Sequence, residues 1–532
     1  MSAWLRAAAA GMLALAAALW VTGGADAATL SPGPAGSSSW TMYHSDPAGT
    51  GVATSVTAIN TGTRAWTSPT LDGDIYGEPL VYADRVYVAT ENDTVYALSS
   101  ATGAIVWSDH LGTPVPSSSL PCGNIAPTVG ITGTPVIDPQ RGEIFVVADE
   151  MVNGGPAHLL AGLATGSGRA EITQDVDPPG ADPAALLQRT GLTLDDGRVV
   201  FGMGGNYGDC GSYRGRVEAV PETGGRPTIY TVDAAADESR GAVWMGGAAP
   251  VVDGGGRVWV SVGNGSVTSS SHAYDHSDSV LELSATMRFL QFFAPSNWAA
   301  NNAQDLDLAM APALLTDGQV ILAGKSGIVY LLDGADLGGI GHQEAALSSA
   351  CSDVIDGGSA VSGTTLYLPC LSGVIAVRAA ASPPGLRLLW SSGRGGGPPI
   401  IAAGLVWTIG QNGVLYGLDP ATGAVRKQAS IGVPANHFPT PSVGDGLLLA
   451  PSARNVVAFG RSSRGAAPAS TAPAPAASAG PPGSQPTSSG GGGLMAGAIA
   501  GIVAGGLAAA GGAGWLLWRR RVIRHNERVP HQ

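Results

Sequence analysis

The chain has 532 residues, a formal net charge of −13 and 13% charged residues, about half the usual share. Only two of its 27 basic residues are lysines, Lys325 and Lys427, and the acidic balance argues against a general nucleic-acid binder. With 44% hydrophobic residues beside 79 Gly and 37 Pro, the composition supports a large, turn-rich core and excludes a disordered, collagen-like or disulfide-dense small protein.

Residues 1–27 read as a secretory signal. Arg6 supplies the positive start, Ala7 to Val21 the apolar run, and Ala25-Asp26-Ala27 the small residues before cleavage at Ala28. The mature chain is then expected outside the cytoplasm, where disulfides persist. All four cysteines, Cys122, Cys210, Cys351 and Cys370, lie in that part. Four cysteines allow three pairings. Joining 351 with 370 and 122 with 210 is favoured, because those pairs connect neighbours in the repeat described next.

From residue 76 onward one pattern recurs. Pro79-Leu80-Val81, Val86-Tyr87-Val88, Val95-Tyr96-Ala97-Leu98, Ala101-Thr102-Gly103 and Ile105-Val106-Trp107 form one copy. Pro399-Ile400-Ile401, Val406-Trp407-Thr408, Leu415-Tyr416-Gly417-Leu418, Ala421-Thr422-Gly423 and Ala424-Val425 form another. Short β-rich runs separated by Gly, Asn or Asp turns announce strands and hairpins. Units fall at about 76–112, 130–176, 188–233, 246–295, 308–342, 353–393 and 397–432. Residues 437–460 make half a unit, which 39–69 can complete. Units of about 40 residues with four strands each are the mark of a β-propeller. The expected fold is therefore all-β: an eight-bladed propeller over 28–460, with seven blades as the alternative count, closed by strands from both ends so that no sheet edge is left free.

The turn sequences Tyr96-Ala97-Leu98-Ser99-Ser100-Ala101-Thr102-Gly103 and Leu418-Asp419-Pro420-Ala421-Thr422-Gly423 resemble the repeats of pyrroloquinoline quinone (PQQ) propellers over roughly 39–460. A narrower resemblance is to the quinoprotein alcohol dehydrogenases, which hold PQQ and Ca²⁺ in the channel. Gly241-Ala242-Val243-Trp244, Val258-Trp259-Val260 and Val262-Gly263-Asn264-Gly265 follow that family's order. The resemblance implies that Trp244 stacks on the quinone and that Asn264 is an amide ligand of Ca²⁺. It assigns the catalytic base to Asp275 or Asp278. It makes Asp305 and Asp307 the next acidic segment, Glu150 the acidic metal ligand, and Lys325 the quinone contact. Such a site is chemically coherent, since Ca²⁺ takes oxygen ligands and a nearby carboxylate can accept an alcohol proton. The sequence also departs from the family. Cys122 is followed by Gly123 rather than by a second cysteine, and no Cys-x-x-Cys-His exists for an attached haem. His272, Asp275, His276 and Asp278 form a further set of metal-ligating residue types, which a polar loop explains equally.

Residues 461–493, rich in Ala, Pro, Ser and Gly, read as an unstructured stalk. Leu494 to Trp518 is uncharged and long enough to span a bilayer as a helix. Arg519, Arg520, Arg521 and Arg524 then place the tail, 519–532, in the cytoplasm. The tail carries +4, which subtracted from −13 leaves −17 outside. Gly497, Gly501 and Gly505 share a helix face that permits close helix packing and a homodimer. The expected function is a single-pass cell-surface propeller that binds or scaffolds an extracellular protein or cell-wall ligand, without a cofactor. The alternative is a PQQ- and Ca²⁺-dependent alcohol dehydrogenase.

Overall fold

The computed structural model describes residues 39–54, 56–232 and 239–460. The proposed signal, stalk, membrane span and tail lie outside these residues. Among the described residues no helix is long and apolar enough to cross a membrane.

Eight blades, each built on four antiparallel strands and two of them carrying a fifth short strand, form the expected propeller. Blade 1 comprises Leu80–Tyr82, Arg85–Ala89, Thr94–Ser99 and Ile105–His110. Blade 2 comprises Val136–Asp138, Glu143–Val152, Gly155–Ala164 and Ala170–Asp175. Blades 3 to 7 begin with the strands Thr193–Asp195, Val251–Val252, Ala313–Leu314, Ala360–Ser362 and Ile400–Ala402. Blade 8 is shared between the ends of the propeller. Ser442–Gly444, Leu447–Ser452 and Asn455–Phe459 supply three strands, and Trp66–Thr67 the outer one, with Trp66 opposite Ala458.

Two boundaries differ from the sequence reading. The outer strand of blade 5 is Ala345–Leu347, beyond the expected end at 342. Gly339–Ile340 instead joins blade 4, parallel to Phe289–Ala294. This stretch has little hydrophobic alternation, so only the neighbouring strands decide its register.

The recurring Ala-Thr-Gly turn clamps one blade to the next. Trp66, Trp107 and Trp390, each at the outer edge of one blade, lay their rings on Gly103, Gly168 and Gly423 of the next. Their indole N–H groups donate to Ser100 O at 2.8 Å, Thr165 O at 2.9 Å and Pro420 O at 3.0 Å. Gly423 has φ +71°, and a Cβ there would fall 2.5 Å from the Trp390 ring. Only glycine meets both conditions.

Alternating turns give the ring two faces. The upper face carries the loops between second and third strands and the links from each blade to the next. The lower face carries the remaining turns. Gly460, which ends the described chain, follows the third strand of blade 8 onto the lower face and accepts a hydrogen bond from Asn60 N at 2.9 Å.

Residues 40–53 cross the central channel beneath the upper loops. They bond to the first strands of blade 1 (Trp40 N to Val81 O, 2.8 Å) and blade 2 (Ile137 N to Thr41 O, 2.7 Å). They reach blade 4 (Val252 N to Pro47 O, 2.7 Å), blade 6 (Val361 N to Thr50 O, 3.0 Å) and blade 7 (Ala53 N to Ile401 O, 2.8 Å). Trp40, Met42, Tyr43 and His44 are buried there. Tyr43 stacks on His44 with ring centroids 4.3 Å apart, and burial lowers the His44 pKa to about 4, so this imidazole is neutral. The channel thus has a floor made of the chain's own N-terminal segment.

Candidate functional site

The upper mouth of the channel gathers several of the residues singled out from sequence. Trp244 precedes the tight turn Met245–Gly247 on the link between blades 3 and 4. Asn264 follows the strand Val258–Val262 of blade 4. Asp305 caps the helix Trp298–Gln304 in the left-handed region, at φ 59°, and Asp307 follows on the link to blade 5. Lys325 sits at the turn between the strands Gln319–Ala323 and Val329–Asp333 of that blade.

These side chains form one network. Asn264 N donates to Asp307 Oδ1 and its Nδ2 to Asp305 Oδ1, both at 2.6 Å. Lys325 Nζ lies 2.5 Å from Asp307 Oδ2 and 3.0 Å from Asp305 Oδ1. The same ammonium stands 5.4 Å from the centroid of the Trp244 ring. Burial lowers the Lys325 pKa, but Asp307 and Asp305 outweigh that and hold it above its ordinary value, so the group is charged. Gly263 permits the approach, since a Cβ there would lie 2.7 Å from Asp307 Oδ1.

Asp278 and Asp275, the two candidates for a catalytic base, stand behind this network and are buried. Asp278 accepts from Asn301 Nδ2 at 2.5 Å and Leu308 N at 3.1 Å, and burial holds its pKa well above the carboxylate range. Asp275 accepts from Val267 N and Ser277 N, each at 3.2 Å, and from the Ser277 hydroxyl. Asp275 knots the loop that carries it, and Asp278 ties that loop to the helix Trp298–Gln304 and to the link into blade 5.

Glu150 is not brought to this network. It lies in the long strand Glu143–Val152 of blade 2 and faces Gly112, whose added Cβ would sit 1.8 Å from Oε2. Its charge acts on Asp93 of blade 1. Asp209 of blade 3, which the sequence reading passed over, is electrostatically close to Asp305. Asp209 accepts the Tyr213 hydroxyl at 2.6 Å and lies 3.9 Å from Arg240. Its signal was the long interruption between Gly205 and Arg216, ending beside Cys210. That loop is tied down by the disulfide Cys122–Cys210, with Cα atoms 5.9 Å apart, and the second disulfide joins Cys351 and Cys370.

The arrangement does not fit a Ca²⁺ and PQQ pair. Asn264 Oδ1 is a buried oxygen with no hydrogen-bond partner, as a metal ligand would be. The carboxylates beside it, however, are both engaged by the Lys325 ammonium. Among the described residues no group of three or more His, Cys, Asp or Glu side chains is placed to hold a metal ion, and this includes the His272 to Asp278 set. Over Trp244, where a quinone would stack, stands Lys325, and Phe438 packs edge-on against the same ring at 5.9 Å.

A PQQ-repeat family model, described as outer membrane protein assembly factor BamB, matches residues 17–151 and 51–336, which together span more than half of the chain. The chain belongs to this PQQ-repeat propeller family. Solved structures of similar fold agree. The quinohemoprotein alcohol dehydrogenase ADHIIG of Pseudomonas putida HK5 is 14% identical, with a TM-score of 0.59 over 82% of each chain. That of Comamonas testosteroni is 15% identical, with a TM-score of 0.58 over 80% of this chain and 81% of the other. BamB of Moraxella catarrhalis is 16% identical, with a TM-score of 0.50 over 75% of this chain and 99% of the other. No curated relative matches the chain. At these identities the PQQ-repeat architecture is shared by dehydrogenases and an assembly factor alike, and function must come from the site.

Proposed function

We propose that this PQQ-repeat propeller is a membrane-anchored cell-surface protein that binds or scaffolds an extracellular protein or cell-wall ligand, without oxidising alcohols. The observation that carries the reading is the Lys325 ion pair with Asp305 and Asp307, which commits the two carboxylates that a dehydrogenase would leave for metal and substrate. The stalk at 461–493 and the uncharged stretch at 494–518, both read from the sequence, would supply the anchor. The glycine face of that span would support a homodimer.

The second reading, a PQQ- and Ca²⁺-dependent dehydrogenase, draws its support from the meeting of Trp244, Asn264, Asp305, Asp307 and Lys325 at one channel mouth. A dye-linked assay separates the two. Purified full-length protein, given PQQ, Ca²⁺ and a series of primary alcohols, is expected to reduce no dye above the alcohol-free rate. Alcohol-dependent dye reduction that disappears in Asp305→Asn would sink the binding reading.

A further inference from the structure

We propose that Arg189 is the receptor for a small carboxylate ligand in the central channel, between the Trp244 and Lys325 cluster above and the floor of residues 40–53 below. Arg189 lies on the link into blade 3 and is 8% exposed. Its Nη2 is shut off from solvent and has no hydrogen-bond partner. Among the described residues no carboxylate oxygen stands within 4.0 Å of its guanidinium. Glu91 and Asp356 act on its charge from a distance, but neither meets Nη2, and a buried donor without an acceptor is a costly group that a ligand oxygen would satisfy.

The surroundings select the ligand. The Phe438 and Tyr76 rings lie 5.1 Å and 5.7 Å from the guanidinium carbon, so aromatic contacts are made while Nη2 has no hydrogen-bond partner. That edge is a planar fork, which matches a carboxylate with two parallel hydrogen bonds. Gly247 lets the backbone pack directly on the guanidinium and so fixes its position, since a Cβ there would fall 2.6 Å from Nη1. The acids nearby do not replace the ligand. Burial lifts the Glu91 pKa to about 8, which leaves it largely uncharged at neutral pH. Asp356 acts on the Arg189 charge without contacting it, and its Oδ2 lies 3.8 Å from His437 Nε2. Phe438 separates this position from the Trp244 ring, and the inference does not depend on whether the chain oxidises alcohols.

The test is thermal unfolding of the purified full-length protein in sodium formate or acetate, against sodium chloride at equal ionic strength. A ligand that binds only the folded state raises Tm with the logarithm of its concentration once above Kd. Formate and acetate are expected to raise Tm in this manner and chloride is not. Arg189→Met should abolish the response, and its Tm in chloride should equal or exceed that of the wild type, because the unsatisfied buried donor is gone. Should Arg189→Met fail to fold, Arg189→Lys keeps the charge but loses the fork, and at least tenfold weaker acetate binding is expected. Equal midpoints of the wild type in acetate and chloride would overturn the proposal. So would a carboxylate response that survives the Arg189 substitutions.

Discussion

Replacing Lys325 with methionine removes the ammonium from Asp305 and Asp307 while keeping most of its volume. The Lys325 and Asp307 side chains are 16% and 8% exposed, so their contact belongs with buried pairs. Deleting one partner of such a pair costs about 3–5 kcal/mol, because the other charge is left buried and uncompensated. Asp305 is 52% exposed, and after solvent screening its contact adds at most about 1 kcal/mol. Methionine regains some apolar packing against Trp244, which leaves a net loss of about 3 kcal/mol at pH 7. With an unfolding entropy near 2 cal/mol/K per residue over the whole propeller, Tm should fall by roughly 3–4 °C.

The Lys325 pKa is higher folded than unfolded, so the stabilisation is fully present below about pH 10 and is lost only as pH rises through the folded value. Urea unfolding followed by tryptophan fluorescence measures the loss. Asp307→Asn added to Lys325→Met should recover at least about 1 kcal/mol, because it removes the stranded charge. A Lys325→Met protein within about 0.5 kcal/mol of wild type, or a double variant no better than the single, would refute the reasoning.

The remaining predictions concern the framework. Burial lowers the His158 pKa, but Asp149 and Asp177 outweigh it and lift the value to about 9, while burial lifts Glu218 to about 8. Both groups hold their protons more tightly when folded, so the stability they contribute is lost as pH rises through those values. The Tm is expected to fall between about pH 4.5 and 8 through Glu218 and between about pH 6.5 and 9 through His158, and His158→Gln should flatten the upper limb; an unchanged slope there would contradict the assignment. Trp390→Ala should cost about 3–5 kcal/mol and Gly423→Ala about 1–2 kcal/mol, read as urea midpoints, and wild-type midpoints would remove the clamp from the account. Paired Cys→Ser changes should cost about 4–5 kcal/mol for Cys122–Cys210, which spans 88 residues, and about 3 kcal/mol for Cys351–Cys370, which spans 19. Equal losses would count against the loop-length argument.

The blades were legible in sequence because their strands are local. Each run of Val, Ile, Leu and Tyr ends in its own Gly, Asn or Asp turn, and the half-unit at 437–460 declared the need for a strand from 39–69. The path of 40–53 through the channel was not legible. Its hydrogen bonds go to five different blades, and nothing in Thr41, Pro47 or Thr50 marks a partner hundreds of residues away. The site was legible where resemblance marked residues in order, as for Trp244, Asn264, Asp305, Asp307 and Lys325. Glu150 stands apart from that network, since an insertion hides which acid meets the others, and Asp209 of another blade is electrostatically close to Asp305. Arg189 carried no sequence signal, since only the folded ring shows that it is buried with its Nη2 lacking a hydrogen-bond partner.

The most direct test of the central claim is a tryptophan-fluorescence titration of the full-length protein with PQQ, with and without Ca²⁺. If Lys325 holds Asp305 and Asp307 as described and covers Trp244, no saturable quenching is expected up to roughly millimolar PQQ. Saturable quenching that requires Ca²⁺ and is lost in Trp244→Phe would contradict the account and restore the dehydrogenase.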